Sequence, residues 1–232
     1  MKKLHQPQAI EHWNSQYRLN SIFPPEMMEA FELFAGDVGD LLCRPGETLD
    51  QLILLVQGKL KIYRTLENGK QFLLRFNNPL GVIGDMEAFS DYEVQTFVEV
   101  VQPSQLLMVP QRVVATHGSN NPQVLHFIIR HLSHKLYTIS NASSLNLLYP
   151  LENRLASYLV STISSEGGSR FAEEIKTSSV TDIAHLLGAS YRHMNRVMRQ
   201  FETEGLVERQ EGRLLVKDLE QLLLLANGNV YE

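Results

Sequence analysis

The stretch 180–201, VTDIAHLLGASYRHMNRVMRQF, decides how this chain is read. Two helical patterns meet there at Gly188-Ala189-Ser190. Ile183, Ala184 and Leu187 line one face of the first, and Met194, Val197, Met198 and Phe201 one face of the second. Gly188 suits the tight turn between them, because a residue without a Cβ takes positive φ without strain. Ser190 is a good N-cap for the second helix. Ala184 is small where the two helices must cross closely. With the apolar groups turned inward, the outer face of the second helix carries Ser190, Tyr191, Arg192, Asn195, Arg196 and Arg199. No acidic residue lies between Ile183 and Phe201. The pattern predicts a helix-turn-helix whose basic second helix fits the major groove of double-stranded DNA. A plain helical hairpin would share the turn but not the one-sided basic face.

The flanks extend this unit. Ser179 with Asp182 three residues later makes a capping-box start for the first helix. Residues 206–209 and 213–216 read as two strands around Gln210-Glu211-Gly212, a small wing, and Asp218 caps a last helix over 219–226. Upstream, 151–164 is an amphipathic helix, followed by a loop at Glu166-Gly167-Gly168-Ser169. Tyr149-Pro150 ends one helix and begins the next, so it marks a hinge.

Before that hinge, Pro122 opens a helix reaching residue 148. Leu125, Ile129, Leu132, Leu136 and Ile139 alternate at spacings of four and three, which is a coiled-coil seam; Ser143 and Asn146 continue the register with polar groups. So regular a stripe predicts pairing with a second copy of the chain. The competing reading packs the same stripe on the chain's own N-terminal domain.

The first half has a different texture. A polar helix over 5–19 and a second over 26–35, opened by Pro24-Pro25 with Met27, Phe31 and Phe34 inward, precede a run of short strands: 41–43, 51–56, 60–64, 72–76, 96–101 and 106–109. The breaks are Arg44-Pro45-Gly46, Gln57-Gly58, Asn68-Gly69, Asn78-Pro79 and Gln102-Pro103, and Asn68-Gly69 is a strong hairpin turn. Closely spaced strands of this kind predict an antiparallel sandwich or barrel. A short helix over 110–117 follows. The expected organisation is α+β: a β-barrel domain with N-terminal helices over 1–118, a dimerisation helix and hinge over 119–149, and a winged helix-turn-helix over 150–232.

Composition narrows the function. The chain has 232 residues, enough for two modest domains, and a formal net charge of -5. Bulk charge therefore does not attract nucleic acid, and DNA contact must come from the local patch of Arg192, Arg196 and Arg199. Cys43 is the one cysteine, which excludes an intrachain disulfide framework and an all-cysteine metal or cluster site within one chain. Its expected role is that of a small buried apolar residue. The lysines at the start are followed by no apolar core, so they do not begin a signal peptide, and no apolar run approaches the ~18 residues of a membrane span. The expected location is the cytoplasm.

Barrel, long helix, proline hinge and winged helix-turn-helix, in that order, resemble the catabolite activator protein / fumarate–nitrate reduction regulator (Crp/Fnr) family of bacterial transcription regulators. The resemblance covers about residues 41–226. It is supported by Pro45-Gly46-Glu47, Gly58 within Val56-Gln57-Gly58-Lys59-Leu60, Asn68-Gly69-Lys70, Ile83-Gly84-Asp85 and Asn121-Pro122. The resemblance implies a sequence-specific regulator, not an enzyme, with a sensor barrel, itself and double-stranded DNA as partners, and RNA polymerase as a further partner if it activates. A cyclic-nucleotide pocket in this family combines a Gly-Glu segment with an Arg-Ser pair further on. Here Gly84, Asp85 and Met86 match the first part, with Asp for Glu, whereas the aligned Glu93-Val94-Gln95-Thr96 has no arginine and Glu93 repels a phosphate. Ile139 stands near where the family offers a hydroxyl to the nucleobase. Gly84, Asp85, Met86, Gln95 and Thr96 are thus the candidate effector pocket, cyclic AMP is not the expected effector, and no cofactor or metal is expected. A regulator of the same fold without any effector is the main alternative.

Sensors of other kinds fit poorly. No histidine lies between Trp13 and Thr116, which removes the inward ligands that a haem sensor or a metal-dependent barrel enzyme needs. His126, His131 and His134 cluster on the long helix and read as ordinary surface or seam residues. At the DNA end the family's Ser-Arg-Glu-Thr-Val-x-Arg segment aligns with Ser190-Tyr191-Arg192-His193-Met194-Asn195-Arg196. Arg196 is kept and can read guanine O6 and N7; Arg192 replaces a glutamate, so a guanine preference is expected from both. Ser190, Tyr191 and Arg199 are better placed for phosphate.

Overall fold

The computed structural model describes residues 1–67, 69, 71–90, 92–163, 180–210 and 213–231. By its contacts the chain forms two units, Met1–Lys61 with Asn77–Leu136, and Ile62–Phe76 with Tyr137–Glu232.

The apolar runs of the first half form one seven-stranded sheet, and its paired registers are antiparallel. Its strands are β1 (Lys2–Leu4), β2 (Glu32–Gly36), β3 (Leu41–Cys43), β4 (Gln51–Thr65), β5 (Gln71–Asn77), β6 (Val82–Ile83) and β7 (Phe97–Pro110). The order is β1-β2-β7-β4-β5, with β3 also on β7 and β6 also on β4. Helices α1 (Pro7–Tyr17), α2 (Pro25–Ala30) and α3 (Asp85–Phe89) interrupt it. Leu33, Leu54, Val56, Leu107 and Val109 face a core closed by Trp13, Phe23, Met27 and Phe31. Phe23 meets Phe31 and Phe127 edge-on, with ring centroids 5.2 and 5.3 Å apart, the favoured aromatic geometry.

Three expectations change here. The helix expected over 26–35 stops at Ala30, and Glu32–Gly36 pairs with β7 in the register Leu33 to Leu107. A five-residue ladder with β7 outweighs weak helix propensity. The breaks at Gln57-Gly58 and Gln102-Pro103 are not turns, because β4 and β7 each run straight through. Gly58 takes φ +93°, and a Cβ there would lie 2.6 Å from the Pro103 carbonyl oxygen and 2.7 Å from Ser104 Cα. The glycine marks a close approach of two long strands. Pro103, which has no N–H to give, falls between the segment of β7 paired with β3 and the segment paired with β2. Finally, the helix over 110–117 divides into α4 (Gln111–Val113) and a π-helical turn, Val114–Gly118. At the hairpin between β4 and β5, Gly69 takes φ +77° as a turn requires; Asn68 lies outside the described residues.

The long helix is α5 (Pro122–Leu148). Asn121 caps it, its Oδ1 accepting from the Gln123 and Val124 N–H groups at 3.0 and 3.2 Å. Val124, Phe127 and Ile128 are buried within the first unit, and Thr138, Ala142 and Leu145 within the second. The expected seam lies on another face: Ile129, Leu136 and Ile139 are exposed, while Leu125 and Leu132 are half-buried. Leu132 packs partly on the first core.

After the break at Tyr149-Pro150 come α6 (Leu151–Thr162), α7 (Val180–Leu186), α8 (Tyr191–Thr203), β8 (Val207–Gln210), β9 (Arg213–Val216) and α9 (Leu219–Ala226). Ser164, the loop at 166–169 and the capping serine, Ser179, lie outside the described residues. The wing pairs Val207 with Val216 and Gln210 with Arg213, one residue later than expected at its start. Asp218 Oδ1 accepts from the Gln221 N–H at 2.9 Å and caps α9. Among the described residues no helix is long and apolar enough to cross a membrane.

Candidate nucleic-acid interface

Helix α8 forms because its two faces are sharply separated. Met194, Val197, Met198 and Phe201 are at most 1% exposed. Burying each such side chain contributes about 1.5–3 kcal/mol. The opposite face holds Arg192, Arg196 and Arg199, all exposed and, among the described residues, without an ion pair. These three fall at i, i+4 and i+7, one stripe of the helix. Tyr191 is 57% exposed, Ser190 is exposed and Asn195 is half-buried beside the stripe. The Ser190 Oγ accepts from the His193 N–H at 3.2 Å, so the cap read from the sequence forms.

The turn is built as its residues require. Gly188 takes φ +62°. The Ala189 N–H donates to the Ala184 carbonyl at 2.8 Å, and Ala184 is fully buried at the crossing. A residue that sequence reasoning missed, Arg154 of α6, donates from Nη1 to the Leu187 carbonyl, satisfying an acceptor at the end of α7. The only hint was a cation inside an amphipathic helix. Arg209 of the wing pairs with Glu202 of α8 at 2.7 Å, and Lys217 with Glu208 at 2.9 Å. Side-chain pairs thus tie the wing to the second helix and its two strands to each other, leaving the arginine stripe open.

Comparison with known proteins agrees with this geometry. Residues 153–225 match the Crp-like helix-turn-helix domain, and residues 37–116 match the cyclic nucleotide-binding domain. The regulatory protein YeiL of Escherichia coli O157:H7 is 29% identical over 212 residues, 91% of this chain and 93% of that protein. The CRP-like cAMP-activated global transcriptional regulator of Mycobacterium tuberculosis is 22% identical over 79% of this chain and 83% of its own. A putative Crp/Fnr-family regulator from Eubacterium rectale shares the fold with a TM-score of 0.74 at 18% identity, covering 87% of this chain and 92% of its own.

The chain belongs to the Crp/Fnr family. It is a DNA-binding transcription regulator, with a cyclic-nucleotide-binding-type sheet, a long helix and a C-terminal helix-turn-helix. The candidate effector segment lies at the start of α3. Gly84 precedes α3 at φ +86°, where a Cβ would meet the Gln51 carbonyl oxygen at 2.5 Å. Asp85, the first residue of α3, is 1% exposed and pairs with Lys135 of α5. Its other oxygen, Oδ2, has no partner among the described residues. Sequence reasoning named Asp85 but missed Lys135, which lies 50 residues away, a separation that no local pattern reveals.

The remaining candidate pocket residues lie more openly. Met86 is 49% exposed, Gln95 is exposed with its Nε2 3.4 Å from the Glu93 carbonyl, and Thr96 is half-buried. Cys43 is 3% exposed, and burial, with Glu87 and Glu47 nearby, pushes its thiol up to about 12. Such a thiol is inert at neutral pH. His131 packs against Phe127 with the rings tilted by 58° and centroids 4.3 Å apart, while His126 and His134 lie on exposed surface.

Proposed function

We propose that two copies of this regulator pair through α5 and place their α8 helices on the halves of a pseudo-palindromic operator, about 34 Å apart. The observation that carries this reading is the coincidence of two open faces. The arginine stripe of α8 is exposed, and so are Ile129, Leu136 and Ile139, apolar groups at coiled-coil spacing that no described residue of one chain covers. Arg192 and Arg196 read guanine; Ser190, Tyr191 and Arg199 hold phosphate. The protein acts in the cytoplasm, and RNA polymerase is its further partner where it activates. Sedimentation with an operator titration tests the assembly: a dimer that binds one palindrome is expected, and a monomer binding single half-sites contradicts it.

The barrel controls this assembly through α5 and the Tyr149-Pro150 hinge, by a signal other than a cyclic nucleotide. A relative is cAMP-activated by name. In this chain the carboxylate at the matching position is paired with Lys135, and no arginine stands among Glu93-Val94-Gln95-Thr96 to meet a phosphate. Calorimetry with cyclic AMP is expected to show no binding; micromolar affinity would overturn the proposal. The same ion pair favours a second reading, a regulator that needs no effector, because Lys135 already links α3 to α5. Operator binding by protein stripped of small molecules separates the two.

A further inference from the structure

Helix α9 ends in two consecutive left-handed residues, Asn227 at φ +52° and Gly228 at φ +71°. This pair turns the chain sharply back, and the Asn229 N–H closes the turn on the Ala226 carbonyl at 2.9 Å. The returning segment delivers Tyr231 into a fully buried position. Three polar groups of that residue then meet three different elements. Its N–H donates to Ser161 Oγ of α6 at 2.8 Å. Its phenol OH donates to Asn146 Oδ1 of α5 at 2.9 Å. Its carbonyl accepts from the Phe76 N–H of β5 at 2.5 Å. β5 is the last strand in the sheet order, so this bond is made along a sheet edge. The Ser161 hydroxyl also donates to the Ser157 carbonyl at 2.8 Å, which fixes it to accept from Tyr231. Phe76 and Tyr158 lie beside one another, centroids 6.0 Å apart. Asn153 Nδ2 fastens the preceding helix by donating to the Leu225 carbonyl at 2.7 Å.

We infer that residues 227–231 form a clamp, with Tyr231 as its plug, that locks α6 to α5 and to the edge of β5. α6 carries Arg154, which holds the turn of the helix-turn-helix. The clamp therefore fixes the direction in which α8 is presented, and Tyr231 is a positioning residue for operator binding. This consequence rests on the dimeric reading above; the locking itself does not. Loss of the plug frees α6 and broadens the half-site spacings that a dimer accepts.

Two readouts on the full chain test the clamp. In Tyr231→Ala, amide exchange is expected to speed about tenfold or more in residues 71–77 and 151–162, with Glu32–Gly36 unchanged. Against operators whose half-sites are moved apart by one base pair, the wild type is expected to lose about tenfold in affinity and the variant less than about twofold, with affinity for an isolated half-site kept in both. A side chain that only stabilises the fold would not move the spacing preference. Should the alanine variant not fold, Tyr231→Phe removes the Asn146 bond alone and is expected to speed exchange in 141–149 about threefold. Unchanged exchange in 71–77 for the alanine variant, or in 141–149 for the phenylalanine variant, overturns the clamp. Failure of the wild type to bind any operator refutes the operator reading, and the exchange result still decides the clamp.

Discussion

Arg192 and Arg196 stand one turn apart on the open face of α8, above a face that Met194 and Val197 bury completely. Arg196→Ala should cost about 1–3 kcal/mol of operator affinity and relax specificity at one base pair, read by binding to a panel of single-base operator variants. Gly58→Ala should destabilise the fold by about 2–4 kcal/mol in urea unfolding, since a Cβ at φ +93° would press on Pro103 and Ser104. Cys43 gives a pH prediction. Its thiol is held up to about 12 from 9.0, so the unfolded thiol ionises first. The stability it contributes is complete below pH 9.0 and is lost as pH rises toward about 12. Cys43→Ala should flatten that part of the urea-midpoint profile relative to wild type. At this scale the helix-turn-helix residues were legible because their periodicity is local. Lys135, Arg154 and Tyr231 were not, since each acts on a partner at least 33 residues distant.

At the scale of elements, amphipathic helices read well and strands read in fragments. The bounds of α5 and α9 match expectation because proline or an N-cap punctuates them in sequence. Gln57-Gly58 and Gln102-Pro103 use the same punctuation for another purpose, a close approach inside continuous strands, which is visible only once β4 lies against β7. Helix α2 ends early because Glu32–Gly36 finds a partner strand 68 to 76 positions on, from Ser104 to Met108. The exposed stripe of α5 yields a test of its own. Leu136, 72% exposed in one chain, is central to the proposed seam. Leu136→Glu should give a folded monomer by sedimentation and weaken operator binding by about a hundredfold or more, because the second half-site is then no longer held close.

For the whole molecule, the sequence of α5 is shared between the two units, its residues up to Leu136 belonging to one and those from Tyr137 to the other. Lys135 lies at that passage and holds the buried Asp85 of α3. Lys135→Met should cost about 3–5 kcal/mol in urea unfolding, because it leaves a buried carboxylate without its counter-charge. The proposed regulator then needs a palindrome, since two copies related by a two-fold axis present two α8 helices. Selection from random DNA with protein stripped of small molecules, followed by sedimentation of the complex, tests this most directly. The account predicts enrichment of an inverted repeat, its half-sites about 10 base pairs apart from centre to centre and rich in guanine contacts, bound by two chains per duplex. Enrichment of a lone half-site bound by one chain would contradict it.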